Sequence, residues 1–193
     1  MLYGLLREAD ISRETAECLY TGIVHDTGVF KFNSTTRKTM EIAGKLMEKG
    51  LDCARIIDDS FYRKTYVQNQ ILGKALLNAR LLLDGRCICS SLSGAELSQY
   101  SADANDLDGI IDQLRITAGV ECAIFIYEKT EREYKVSLRS NAVVDVSRIA
   151  QSFGGGGHKF AAGCTISGDS WEVISRVAAC VQEQLERQNA EQI

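Results

Sequence analysis

The stretch that most narrows what this chain can fold into is AQSFGGGGHKFAAG, residues 150 to 163, in which Gly154, Gly155, Gly156 and Gly157 precede His158 and Lys159. Glycine loses more chain entropy on folding than any other residue, about 0.5–1 kcal/mol against alanine, so an ordered run of this length costs on the order of 2–4 kcal/mol. Something must offset that cost. Backbone without Cβ atoms can take positive φ and carry its N–H groups against a ligand, forming a nest suited to phosphate or carboxylate oxygens. The competing reading is a flexible turn between a helix and a strand, with His158 a surface bystander.

Two familiar glycine motifs do not fit. A phosphate-binding P-loop needs G-x-x-x-x-G-K-[ST] leading into a helix, whereas Lys159 is followed by Phe160 and the glycines come after a helix-like run. A dinucleotide fingerprint needs a strand before it, and VDVSRIAQSF reads as helix. An imidazole at His158 and an ammonium at Lys159, beside open amides, make a group of donors of the kind an anionic substrate needs. Upstream, Arg139 ends the strand-like YKVSLRS and brings a guanidinium fork that matches phosphate in bidentate fashion.

With no proline in the chain, glycine and cap residues punctuate the elements. ISRETAECLYTGIV predicts a helix capped by Ser12 with Ala16, Leu19, Tyr20 and Ile23 on one side. TTRKTMEIAGKLMEKG predicts a second, capped by Thr35 or Thr36, with Met40, Ala43 and Met47 in one stripe and Gly50 as its stop. A short helical piece, DCARIIDDSF, follows. RKTYVQNQILGKALLNARLLLDG, residues 63–85, predicts a long connector helix with Ile71, Leu72, Ala75, Leu76, Ala79 and Leu83 on one side and Gly85 at its end.

From Arg86 strands and helices interleave. RCICSSL, VECAIFIY, YKVSLRS and AAGCTIS read as strands; LDGIIDQLRIT, VDVSRIAQSF and SWEVISRVAACVQEQLERQ, the last capped by Ser170, read as helices. VECAIFIY is apolar enough for a central strand covered on both sides, and Tyr134, Val136 and Leu138 alternate onto one face. The fold class is α/β: a helical part over 1–62, the connector over 63–85, and a small α/β domain with a mixed sheet over 86–193.

The net charge of −4 and pI near 5.3 exclude a global basic field for long duplexes, so any nucleic-acid contact is local. No apolar run reaches the roughly 18–20 residues of a membrane span, and MLYGLLREADISRE lacks an export signal's basic and apolar regions. The seven cysteines are scattered without a C-x-x-C pair, which favours reduced thiols and a cytoplasmic setting. Cys87 and Cys89 read as core packing. Arg115 reads as a solvated helix end, and Trp171 and Tyr100 as packing residues.

The other histidine stands in LYTGIVHDTGVFKF, where His25 and Asp26 follow an apolar helix. Asp26 alone reads equally as a turn-forming residue. An aspartic protease would need two such DTG loops, and this chain has one.

Taken together the two stretches resemble one family. TGIVHDTGVFK is similar to the last metal-binding motif of the DHH phosphoesterase superfamily, and KVSLRSN with VDVSRIAQSFGGGGHKFAAG to the signature of the DHH-associated C-terminal domain. The closest resemblance is to the bifunctional oligoribonuclease and 3′-phosphoadenosine 5′-phosphate phosphatase group, and it covers essentially the whole chain. It implies a catalytic domain holding two manganese ions, with Asp26 as one metal ligand. It implies a second domain in which Arg139, Gly154, Gly155, Gly156, Gly157 and His158 grip a short RNA or a phosphorylated adenosine nucleotide. The chain departs from the pattern in having no Asp-His-His triplet and no upstream D-x-D motif. The expectation is therefore the C-terminal portion of a longer enzyme, inactive by itself, with oligomeric state open and a homodimer one option. Other expectations in play are a cyclic dinucleotide phosphodiesterase or single-strand exonuclease of the same superfamily, and, from another class, a non-catalytic nucleotide-binding module.

Overall fold

The computed structural model describes residues 10–32 and 34–191; the first nine residues of the N-terminal stretch considered above lie outside them. The chain divides into two compact units, Met1–Lys64 and Thr65–Ile193.

In the first unit, α1 (Arg13–Thr27) starts at Ser12, whose hydroxyl accepts from Thr15 N–H at 3.2 Å, and stops at Gly28 in the left-handed region. Helix α2 (Arg37–Met47) is capped by Thr36, and α3 (Cys53–Ile57) runs on as one π turn, Asp58–Tyr62. Ala16, Tyr20, Ile23, Val24, Ile42, Ala43 and Leu46 form the core. The buried stripe of α2 is therefore Thr39, Ile42, Ala43 and Leu46. The expected Met40 and Met47 stand half exposed, because the apolar arc centres on Ile42 rather than on the methionines.

The second unit is a three-layer sandwich around a mixed sheet of order β1-β2-β3-β4-β6-β5. The expected helix over 63–85 is corrected here. Helix α4 (Tyr66–Leu77) ends where Asn78 turns its amide onto Ser91 O and Glu96 Oε1, each at 3.0 Å. Residues Arg80–Leu82 then form β1, an antiparallel edge strand on β2 (Cys87–Leu92). Gly85 closes the β1–β2 turn, not a helix, and Leu83 and Asp84 before it share its positive φ. Helix α4 is part of this unit rather than a separate connector, since Ile71 and Ala75 are fully buried against Ile88, Leu92, Ile111 and Leu114.

After β2 the chain crosses through α5 (Gly94–Gln99), a 3₁₀ turn (Ala104–Leu107) and α6 (Ile110–Arg115) to β3 (Cys122–Thr130), which pairs with β2 in parallel. A tight turn leads into antiparallel β4 (Glu133–Ser140). Helix α7 (Val146–Ser152), edge strand β5 (Gly156–His158), β6 (Ala161–Ser167) and α8 (Ser170–Glu191) complete the unit. Helix α8 is capped by Asp169 in place of the expected Ser170: its carboxylate accepts from Trp171 N–H at 2.9 Å.

Tyr134, Val136 and Leu138 face α7 and α8 together with Cys87, Cys89, Ile124, Cys164 and Ile166. On the other face α4 and α6 cover Ile88, Ala123 and Phe125. Central β3 is thus covered on both sides, as its unbroken apolar run predicts. Trp171 is corrected from a packing residue: it is 47% exposed, with the Arg80 guanidinium 5.6 Å from its ring centroid.

Candidate functional site

In the first unit, His25 and Asp26 occupy the last turn of α1 rather than the loop beyond it, and both are exposed. The His25 ring stands edge-on to Phe61 at 5.5 Å, and Asp26 O accepts from Ser34 Oγ at 3.3 Å. The backbone after them is strained: Gly28, Val29 and Phe30 have φ of 55°, 57° and 63°. A left-handed conformation costs an L-residue roughly 1–2 kcal/mol, and a β-branched valine adopts it rarely. Thr27 holds the turn, its hydroxyl donating to Ile23 O at 2.6 Å and accepting from Phe30 N–H at 2.9 Å. Among the described residues no group of three or more His, Cys, Asp or Glu side chains comes together that could hold a metal ion. Asp26 alone does not make a manganese centre.

In the second unit the glycine run has two roles. Gly154 (φ 75°) ends α7, and Gly154 and Gly155 donate back to Gln151 O and Ala150 O at 3.0 and 2.8 Å. Gly155 lies against β6 so closely that a Cβ there would stand 2.2 Å from Gly163 O and 2.5 Å from Cys164 Cβ. Gly156 and Gly157 are not loop but strand β5, paired with Gly163 and Ala162. Gly157, with φ 147°, would put a Cβ 2.5 Å from Ala161 O. Local geometry thus requires glycine at 154, 155 and 157. The expectation of four open amides is corrected accordingly, because two of them end the helix.

Gly156 differs. Its φ lies outside the left-handed region, it is exposed, and a Cβ built on it meets nothing within 4 Å. No internal contact accounts for its missing side chain.

Register shows what Gly156 borders. Arg139 on β4 pairs with Ala161 on β6, which pairs with His158 on β5, so the three form one row across the sheet. The next row is Ser137, Gly163 and Gly156, and the one after it Lys135 and Thr165. Because Leu138 and Ala162 point into the α7/α8 core, these rows face the other way. The α4/α6 core stops at β3 on that side and includes no residue of β4, β5 or β6. An open shelf results, floored by Ala161, Gly163 and Gly156. Arg139 and His158 flank it, their Cα atoms two strand spacings or about 10 Å apart.

Arg139 is held from the side. Its Nε lies 3.4 Å from Asp112 Oδ1 and its Nη1 donates to Leu138 O at 3.2 Å. Asp112 also faces Arg115 Nε at 3.5 Å, and Arg115 Nη1 donates to Asn141 Oδ1 at 2.7 Å. Asn141 Nδ2 closes the link by donating to Val120 O at 2.8 Å and Arg115 O at 3.1 Å. Arg115 is therefore a half-buried strut, not the solvated helix end expected from its position. The turn at Lys159 and Phe160 is latched too, its carbonyls accepting from Val146 and Ser140 N–H at 2.9 and 3.1 Å.

Sequence reasoning missed Asp112, Asn141 and Ser137. The alternation that buries Tyr134, Val136 and Leu138 already carried the signal for Ser137, since it assigns Lys135, Ser137 and Arg139 to the opposite face. Arg115 bonds Asn141 across 26 residues and Asp112 meets Arg139 from a different element, so neither contact leaves a local pattern.

The sequence profile of the DHHA1 domain matches residues 84–187, more than half of the chain. The chain belongs to the DHHA1 domain family. The DHHA1 match covers the whole glycine segment and the shelf. The chain is 32% identical over 176 residues to the bifunctional oligoribonuclease and PAP phosphatase NrnA of Thermus thermophilus, covering 90% of this chain and 52% of that protein. It is 27% identical over 184 residues to the protein of the same name from Bacillus subtilis, covering 93% and 57%. An exopolyphosphatase-related protein of Bacteroides fragilis shares its structure with a TM-score of 0.85 at 30% identity, over 91% of this chain and 52% of that one. The chain spans about half the length of these relatives. Among the described residues no helix is long and apolar enough to cross a membrane.

Proposed function

We propose that the DHHA1 unit is the nucleotide-holding part of a phosphoesterase that acts on short oligoribonucleotides and 3′-phosphoadenosine 5′-phosphate, the activities for which its NrnA relatives are named. The observation that carries the reading is Gly156, a glycine that neither backbone angle nor packing requires, set on the open shelf beside His158 and Arg139. On this reading Arg139 and His158 donate to a terminal phosphate, and the bare floor lets the ribose or base approach the sheet. Asp112 fixes the direction of the guanidinium, so less freedom is lost when the phosphate arrives.

We also propose that Asp26 supplies one manganese ligand in a complete enzyme; the described residues do not complete such a centre, and no reaction step is assigned to it. The reading is tested by titrating the chain with 3′-phosphoadenosine 5′-phosphate in a calorimeter. Saturable binding that Arg139→Ala and His158→Ala each weaken at least tenfold is expected. Binding that neither substitution changes would rule out the shelf as the nucleotide site.

A further inference from the structure

The shelf extends beyond the row that the proposed function uses. Arg139, Ser137 and Lys135 lie at alternate positions of β4 and so share a face, with Thr165 of β6 beside Lys135. At 3.3–3.4 Å per residue, the Cα atoms of Arg139 and Lys135 are about 13 Å apart. Ser137 and the side-chain-free Gly163 occupy the row between them. Lys135 is exposed and its ammonium makes no ion pair among the described residues, whereas Arg139 is already directed by Asp112. In a chain of net charge −4, the shelf therefore carries cationic groups at both ends of a bare polar floor. That separation exceeds the distance between the 3′- and 5′-phosphates of a single ribose. It suits two phosphates of one nucleic-acid strand separated by a further nucleotide.

We infer that Lys135 is the specificity-determining residue that separates the two ligand classes on one shelf: it contacts a second backbone phosphate of an oligoribonucleotide and is not reached by a nucleoside bisphosphate. This rests on the shelf being the nucleotide site. An exposed ammonium contributes through its charge on phosphate and through counterion release, with a slope of about 0.7 per phosphate neutralised on a single strand.

The test uses the full chain, with 3′-phosphoadenosine 5′-phosphate and the trinucleotide pApApA as probes, titrated at several salt concentrations against wild type, Lys135→Ala, Lys135→Arg and Arg139→Ala. Lys135→Ala is expected to weaken the trinucleotide about three- to tenfold, to lower its salt slope by about 0.7, and to leave the bisphosphate within twofold. Lys135→Arg is expected to restore both trinucleotide values. Unchanged trinucleotide binding in Lys135→Ala, or equal weakening of both probes, overturns the inference while Arg139→Ala still weakens both. If Arg139→Ala changes neither probe, or wild type binds neither, the shelf itself is refuted and the inference with it.

Discussion

Alanine substitutions along the glycine run separate the glycines that the fold needs from Gly156, which the fold does not need and which the proposed nucleotide site would use. Gly155→Ala places a methyl 2.2 Å from Gly163 O and 2.5 Å from Cys164 Cβ. Relief requires moving backbone of β5 or β6, at a cost of about 1–3 kcal/mol. Gly157→Ala adds a strained φ to a 2.5 Å approach to Ala161 O and Ala162 Cα, for a further cost of about 1–3 kcal/mol. Gly156→Ala meets open space at an ordinary φ, so it keeps the fold and gains about 0.4–1 kcal/mol by restricting the unfolded chain. In thermal unfolding, at about 2–4 °C per kcal/mol for a chain of this length, Gly155→Ala and Gly157→Ala lower the midpoint by several degrees. Gly156→Ala leaves it unchanged or raises it slightly. Calorimetric titration with 3′-phosphoadenosine 5′-phosphate reverses the order of interest. The Gly156 methyl projects from the floor beside His158 and lifts the ligand from the sheet, costing about 1–3 kcal/mol or five- to 150-fold in affinity. A Gly156→Ala protein of wild-type midpoint and wild-type affinity would refute the claim that its bareness serves a ligand.

Further outcomes follow from the rest of the second unit. Burial alone would raise the Glu96 carboxyl, but hydrogen bonds from Ser93 N–H, Asn78 and Lys74 outweigh it and bring the pKa down to about 2. Its folded pKa lies below the unfolded value, so its contribution is complete above about pH 4.5 and is lost as pH falls toward 2. Urea unfolding of Glu96→Gln against wild type is therefore expected to show a deficit at pH 7 that shrinks through that window. Glu121 Oε1 accepts from the amides of Ala142, Val143 and Val144 at 3.1, 2.5 and 3.0 Å, so Glu121→Ala is expected to destabilise the unit by about 2 kcal/mol in the same assay. For thiol labelling of the native protein followed by mass spectrometry, Cys18 is expected to react first. Cys87, Cys89, Cys122 and Cys164 are expected to react only on unfolding, since all four are buried and burial pushes the Cys89 thiol up to about 11.

Local pattern carried much of this architecture. Period-two alternation assigns Tyr134, Val136 and Leu138 to the core, the unbroken apolar run at 122–126 marks the central strand, and Ser12 and Thr36 cap the helices expected of them. The errors arise where tertiary pairing overrides local preference. ARLLL continues a helical stripe from α4, yet β2 offers Arg80–Leu82 a ladder, and Asn78 leaves the helix to hydrogen-bond with Ser91 and Glu96. The glycine run was legible as a site of bare backbone, but its division into helix stop, close approach and open floor depends on β6 lying alongside. That contact is invisible in residues 154–157 alone. The family resemblance assigns Arg139 and His158 to one ligand, but their common row exists only because β6 inserts between β4 and β5.

Receipt of the nucleotide phosphate by the uncovered rows of β4, β6 and β5 is the proposal on which the binding predictions depend. Adding 3′-phosphoadenosine 5′-phosphate to the isotopically labelled chain, and following backbone amide and arginine Nε–Hε signals by NMR, tests it most directly. Saturable shifts concentrated at Gly156, His158, Ser137 and the Arg139 side chain, with the α7–α8 face unmoved, are the predicted result. Shifts confined to other surfaces, with those four residues unchanged at saturation, would contradict it.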